Sequence, residues 1–249
     1  MANLQIKLGE AKLVTKRLVA EAGAARQSWA LFEGLRGRDN QHRKAMLIGA
    51  THLCLNGPLN GLSSALGRDT MLTLMRMTDP PGDDKLTLCR LSKLLECNDL
   101  KKDRIEVARN WIPASPAEFV DADAARCAAA MKAITDLVPP LWSVPPSNRS
   151  IYDLRIKLKP VRDAVLAHSI DTAGVIMPGN NDILIFLRVV SEVVEFAQLV
   201  FLDSAISWKR DFEIRLREAT ALWDLCQDGV ERGSVLGSQN SLGSDAQEK

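Results

Sequence analysis

A chain of 249 residues with 46% hydrophobic and 25% charged side chains has ordinary globular composition, and at this length roughly 70–75% of the unfolded surface can be buried. Thirty-two Lys and Arg against 31 Asp and Glu leave a net charge of +1. That excludes a uniformly basic nucleic-acid coat, while a local basic stripe remains compatible with it. Aromatic residues make up 5%, with Tyr152 the single tyrosine; this suits a Leu- and Ala-rich all-α protein over a β-sandwich or barrel.

Apolar residues at three- and four-residue spacing (Leu4, Leu8, Ala11, Val14, Leu18, Ala22, Ala25, Trp29, Phe32) predict a first long helix from about Leu4 to Leu35. Gly34, Gly37 and Asp39 supply its stop. A second helical stretch is expected from Gln41 to Met77, with Pro58 kinking or breaking it. The Asp79-Pro80-Pro81-Gly82-Asp83-Asp84 segment is a strong turn signal. Leu86 to Leu95 reads as a short helix, the pattern weakens between Cys97 and Pro116, and Ala117 to Val138 is again helical.

Pro139-Pro140 and Pro145-Pro146 bracket an extended connector around Trp142. A helix then runs from Ser147 to Ser169, with Pro160 a kink point, and a loop follows from Asp171 to Asn181. Asp182 opens the most apolar helix, whose single polar stripe is Arg188, Glu192, Glu195 and Gln198; it is expected to be surrounded on most sides. A more polar helix continues from Trp208 to Gln227 after a bend near Ser204–Ser207. The expected organisation is one helical domain over 1–228 and a disordered tail over 229–249, where Gly and Ser are common and apolar residues few.

Five widely spaced cysteines form no C-x-x-C, so they support neither a zinc knuckle nor a disulfide framework and fit a reducing, cytoplasmic setting. Met1–Gly9 has no signal-peptide core, and charges interrupt the 183–206 stretch too often for a membrane span. No phosphate-loop, dinucleotide, nucleophile-elbow or H-E-x-x-H motif is present. No cofactor or metal is therefore expected. The three histidines limit triad chemistry. His42 and His52 lack an acidic partner at ligand spacing and read as ordinary helix residues.

His168 stands apart. Leu154, Leu158, Val161, Val165 and His168 share one helical stripe, and Arg155, Lys159, Arg162 and Ser169 form the neighbouring one. Arg162 and His168 are offset by about 120° on a regular helix. To act on one substrate they need a wrapped Arg side chain, a distorted helix end or a second copy across a dimer axis. In the simpler alternative, His168 closes a packed face and Arg162 is a solvated cation.

The segment Arg162-Asp163-Ala164-Val165-Leu166-Ala167-His168-Ser169 resembles the Arg–polar–spacer–His signature of the HEPN superfamily, with five residues between Arg and His and Asp163 in the polar slot. It looks like the abortive-infection AbiU-like branch. Arg68-Asp69 with Leu72, Leu74, Arg76, Met77 and Asp79, followed by Leu86, Leu88, Leu91 and Leu94, is similar to that branch's upstream helix–turn–helix. The resemblance implies a HEPN-like helical bundle that dimerises and joins two Arg–His motifs in a cleft. It also implies a metal-independent endoribonuclease, acting in antiphage defence or as a toxin alongside an antitoxin or other defence protein.

In that chemistry the RNA 2′-hydroxyl is the nucleophile, His168 the general acid or base, and Arg162 the fork that holds the scissile phosphate. Asp163 would orient Arg162 or His168. Arg155, Lys157, Lys159 and Ser169 would bind flanking RNA phosphates. Some members carry a modifiable Tyr two residues after the His; Ile170 stands there in this chain, so control of that kind is not expected. The alternative is a catalytically silent helical module that binds a protein partner or RNA.

Overall fold

The computed structural model describes residues 2–36, 56–80, 86–112, 116–141, 149–166, 178–204 and 206–244. Among these residues the secondary structure is all-α, with no strand. The helices are α1 (Ala2–Arg36), α2 (Asn56–Met77), α3 (Leu88–Leu94), α4 (Asn98–Ala108), α5 (Ala117–Leu137), α6 (Arg149–Leu166), α7 (Asn180–Leu202) and α8 (Trp208–Ser244). A 3-10 turn at Pro139–Leu141 follows α5. No helix among the described residues is long and apolar enough to cross a membrane.

The chain divides into two compact units: Met1–Ala25 with Met71–Trp208, and Arg26–Thr70 with Lys209–Lys249. Each is assembled from two separated stretches. No shift in composition along the sequence marks such a division, which is why a single domain over 1–228 is the natural reading of the sequence.

In the first unit α7 packs against α4, α5 and α6. Its contribution to the core is Ile183, Phe186, Leu187, Val190, Val193, Val194, Ala197, Val200 and Phe201, all buried. Each large apolar side chain of this kind contributes about 1.5–3 kcal/mol when removed from water. The helix is not enclosed on every side: Leu184 and Ile185 near its start are exposed. It ends at Asp203, which takes the left-handed conformation (φ 51°) that Asp tolerates better than most residues. Asp203 accepts a hydrogen bond from Trp111 Nε1 at 2.9 Å and lies 3.7 Å from Arg104.

One element departs from the sequence expectation. Helix α4 occupies the stretch where the pattern is weak; its buried positions are Leu100, Arg104 and Ala108, so an arginine interrupts the apolar stripe. Pro58, where the 41–77 stretch is expected to kink or break, lies in the first turn of α2, where an N–H would have no intrahelical acceptor. The 41–55 part of that expected helix lies outside the described residues. Pro160 sits inside α6 without ending it.

In the second unit, Trp223 donates from Nε1 to the Leu31 carbonyl at 2.9 Å. A Cβ on Gly34 would stand 2.8 Å from Trp223 Cδ1 and 3.2 Å from Ala219, so a glycine lets the two helices approach. Arg26 and Arg215 both pair with Asp211, at 2.8 and 2.9 Å. Trp29 is fully buried with Phe32 at 4.9 Å between ring centres. Helix α8 continues to Ser244, carrying helical geometry through most of the 229–249 segment set apart by composition. Once a helix is nucleated, each further residue adds a hydrogen bond for little cost, so weak helix formers can extend it.

Candidate functional site

The candidate site is built on α6. Leu154, Leu158 and Val161 are buried at 7%, 1% and 2% exposure, which confirms the apolar stripe over these three positions. That stripe fixes the rotation of the helix and so sets where its cations go. Arg155 and Arg162 turn toward the end of α2. Lys157 and Lys159 are exposed.

At the end of α2 the backbone turns through Thr78 and Asp79, just before Pro80. The Thr78 hydroxyl donates to the Leu74 carbonyl at 2.9 Å, and the Asp79 N–H donates to the Arg76 carbonyl at 3.2 Å. Two arginines of α6 dock on this turn. Arg155 Nε donates to the Thr78 carbonyl at 3.3 Å, and Arg162 Nη1 donates to Asp79 Oδ1 at 2.6 Å.

Arg162 also donates from Nε and Nη2 to Asp163 Oδ1, at 2.9 and 2.8 Å. Its side chain is 18% exposed, Asp79 is 21% exposed and Asp163 is 52% exposed. These bonds use three of the five guanidinium N–H donors. The group is thereby held in one orientation; among the described residues its other two N–H donors meet no acceptor. The two carboxylates also offset its charge. Burial, and then the charge of Arg162, push the pKa of Arg155 down, while Asp79 and Tyr152 oppose that shift.

Of the expected site residues, Arg162 and Asp163 are brought together. Arg155 is buried at 7% exposure and committed to Thr78, so it is not presented as an RNA-binding cation. Lys157 Nζ pairs with Asp182 on α7 at 3.2 Å. Lys159 is exposed. His168 and Ser169 lie outside the described residues.

Asp79 is the member of this cluster that the sequence does not single out as a site residue. Its only local signal is an acid at a helix end before Pro80; its partner lies 83 positions away. Among the described residues no group of three or more His, Cys, Asp or Glu could hold a metal ion. The chain matches no family model, no curated protein and no solved structure.

Proposed function

We propose that this protein is a metal-independent endoribonuclease of the HEPN type, used in antiphage defence or as a toxin, with a composite Arg/His site completed by a second copy of the chain. The observation that carries this reading is the fixed Arg162 guanidinium. It is half-buried, oriented by Asp79 and Asp163, and stands six residues before His168 in the motif-like segment.

The chemistry needs no added nucleophile. A base removes the proton from the RNA 2′-hydroxyl, whose oxygen attacks the adjacent phosphorus. The P–O5′ bond breaks, and an acid protonates the departing 5′-oxygen. The products are a 2′,3′-cyclic phosphate and a 5′-hydroxyl. Two His168 side chains from two copies would serve as base and acid. Arg162 would stabilise the charge that builds on the phosphorane oxygens, and its prior orientation lowers the reorganisation needed at that moment. Asp163 and Asp79 act on Arg162 as positioning residues.

The test is cleavage of a single-stranded RNA in EDTA with analysis of the product ends. Arg162→Ala and His168→Ala should each abolish it while the protein stays folded. Undiminished cleavage by the purified double variant would refute the assignment.

A second reading is supported by a specific observation: Asp79 and Asp163 together offset the charge of Arg162, and Arg155 is buried in the same cluster. Such a cluster can serve purely to fasten α6 to α2 in a catalytically silent module that binds a protein partner or RNA. Under that reading wild-type protein in excess leaves RNA intact, and both substitutions act only through stability.

A further inference from the structure

Asp79 has a second setting. It forms part of the wall of a cleft of about 360 Å³ in the first unit, together with Arg17, Glu21, Arg76, Met77, Leu86 and Thr87. The cleft is built from α1, α2 and the entry to α3.

Two arginines at this cleft share one carboxylate. Arg17 Nη2 lies 2.5 Å from Glu21 Oε1, and Arg76 Nη2 lies 2.8 Å from Glu21 Oε2. Glu21 is 11% exposed, whereas Arg17 and Arg76 are 58% and 61% exposed. One nearly buried acid thus anchors two cations that reach solvent. Arg17 and Arg76 balance Glu21 and Asp79 in formal charge, but the two signs are not equally presented: the arginines are 58% and 61% exposed, the acids 11% and 21%. The groups that face solvent at this cleft are thus guanidiniums, whose planar forks suit phosphate oxygens.

The other lining is of a different kind. Leu86 offers partly exposed apolar surface, Met77 lies buried at the cleft's wall, and the Thr87 hydroxyl is already engaged in capping α3, accepting from the Arg90 N–H at 3.4 Å. Cations beside an apolar wall match the alternation of a single-stranded nucleic acid, in which each phosphate is followed by a sugar and a base with flat apolar faces. A small inorganic anion would have no use for the apolar part.

The geometry points to this cleft as the seat of the RNA strand beside the reaction site, with Arg17 and Arg76 binding backbone phosphates and Leu86 taking a base or ribose face. The strand would be handed to Arg162 across Asp79. This inference rests on the ribonuclease reading. It assigns flanking-phosphate binding to two residues of α1 and α2, in place of the buried Arg155.

The experiment measures binding of a 2′-O-methyl single-stranded oligoribonucleotide, whose blocked nucleophile prevents cleavage, by fluorescence anisotropy over a salt series. Wild type is compared with Arg17→Gln and Arg76→Gln separately, so that Glu21 keeps one partner in each. Each variant should bind about tenfold more weakly, as loss of a charge-assisted hydrogen bond implies. Each should also flatten the slope of log affinity against log salt by about 0.7, the value for one single-strand phosphate contact. Arg17→Lys and Arg76→Lys should keep the slope.

Wild-type slopes and affinities in both Gln variants would overturn the cleft assignment, as would failure of wild type to bind this oligonucleotide. Cleavage of unmodified RNA by wild type in EDTA, read in parallel, separates the two failures. Cleavage without these effects removes the cleft alone; no cleavage removes the ribonuclease reading with it.

Discussion

Arg162 and Asp79 are 83 positions apart in the chain, yet their Nη1 and Oδ1 atoms meet at 2.6 Å. This contact fastens α6 to the end of α2 and fixes the guanidinium on which the proposed chemistry depends. Both side chains are only about one-fifth exposed, so screening is weaker than at an open surface. A double-mutant cycle with Arg162→Ala and Asp79→Ala, read by urea unfolding, should give a coupling of about 1 kcal/mol. A coupling indistinguishable from zero would mean that the contact does not hold the two helices together.

Arg155 and Lys159 stand one helical turn apart and should behave in opposite ways. Arg155 is buried against the Thr78 carbonyl, so Arg155→Ala leaves a buried acceptor and a gap, and should cost about 2–3 kcal/mol. Lys159→Ala, on the exposed side, should stay within about 0.5 kcal/mol of wild type. Equal effects in denaturant unfolding would contradict the burial of Arg155 against Thr78.

The difference between these two residues shows what was legible in the sequence. Periodicity predicts a helix over Leu4–Leu35, and α1 spans Ala2–Arg36, because its buried positions Ala11, Val14, Leu18, Ala22, Ala25 and Trp29 are all apolar and recur at helical spacing. It also identifies the buried face at Leu154, Leu158 and Val161. The same logic fails at α4, where the buried stripe passes through Arg104. It places Arg155 among the phosphate-binding cations, because burial of a charge depends on a carbonyl 77 positions away. The Arg–Asp pair of the candidate site is adjacent in sequence and so is readable there. The Asp79 contact is tertiary and leaves no local pattern.

Gly34 tests the second unit. Gly34→Val places side-chain carbon against the Trp223 ring and the Ala219 backbone, where even a Cβ is at 2.8 and 3.2 Å. Overpacking of this kind costs about 1–3 kcal/mol. Thermal unfolding should show a lower Tm, and the Trp223 hydrogen bond to Leu31 should be disturbed. An unchanged Tm would show that the two helices do not meet at this position.

Two thiols should separate by reactivity. Hydrogen bonding from the Leu100 backbone, with Lys7 assisting, lowers the pKa of Cys97. Burial pushes Cys127 up to about 11 from 9.0, against the opposing charge of Arg104. In a Cys54→Ser, Cys226→Ser background at pH 8, iodoacetamide should label Cys97 well before Cys127. Because the folded pKa of Cys127 is the raised one, its contribution to stability is fully present below about pH 9 and is lost as pH rises toward 11. Cys127→Ala should therefore lose less stability than wild type across that interval. Faster labelling of Cys127 than of Cys97 would contradict the packing of α5.

The proposed reaction is cleavage of RNA by Arg162 and His168 without a metal. Its most direct test is incubation of a 3′-end-labelled single-stranded RNA with purified protein in excess EDTA, followed by identification of the new ends. Wild type should produce 2′,3′-cyclic phosphate and 5′-hydroxyl ends, and folded Arg162→Ala and His168→Ala should produce none. Intact RNA with wild type, or the same cleavage by both variants, would contradict the account.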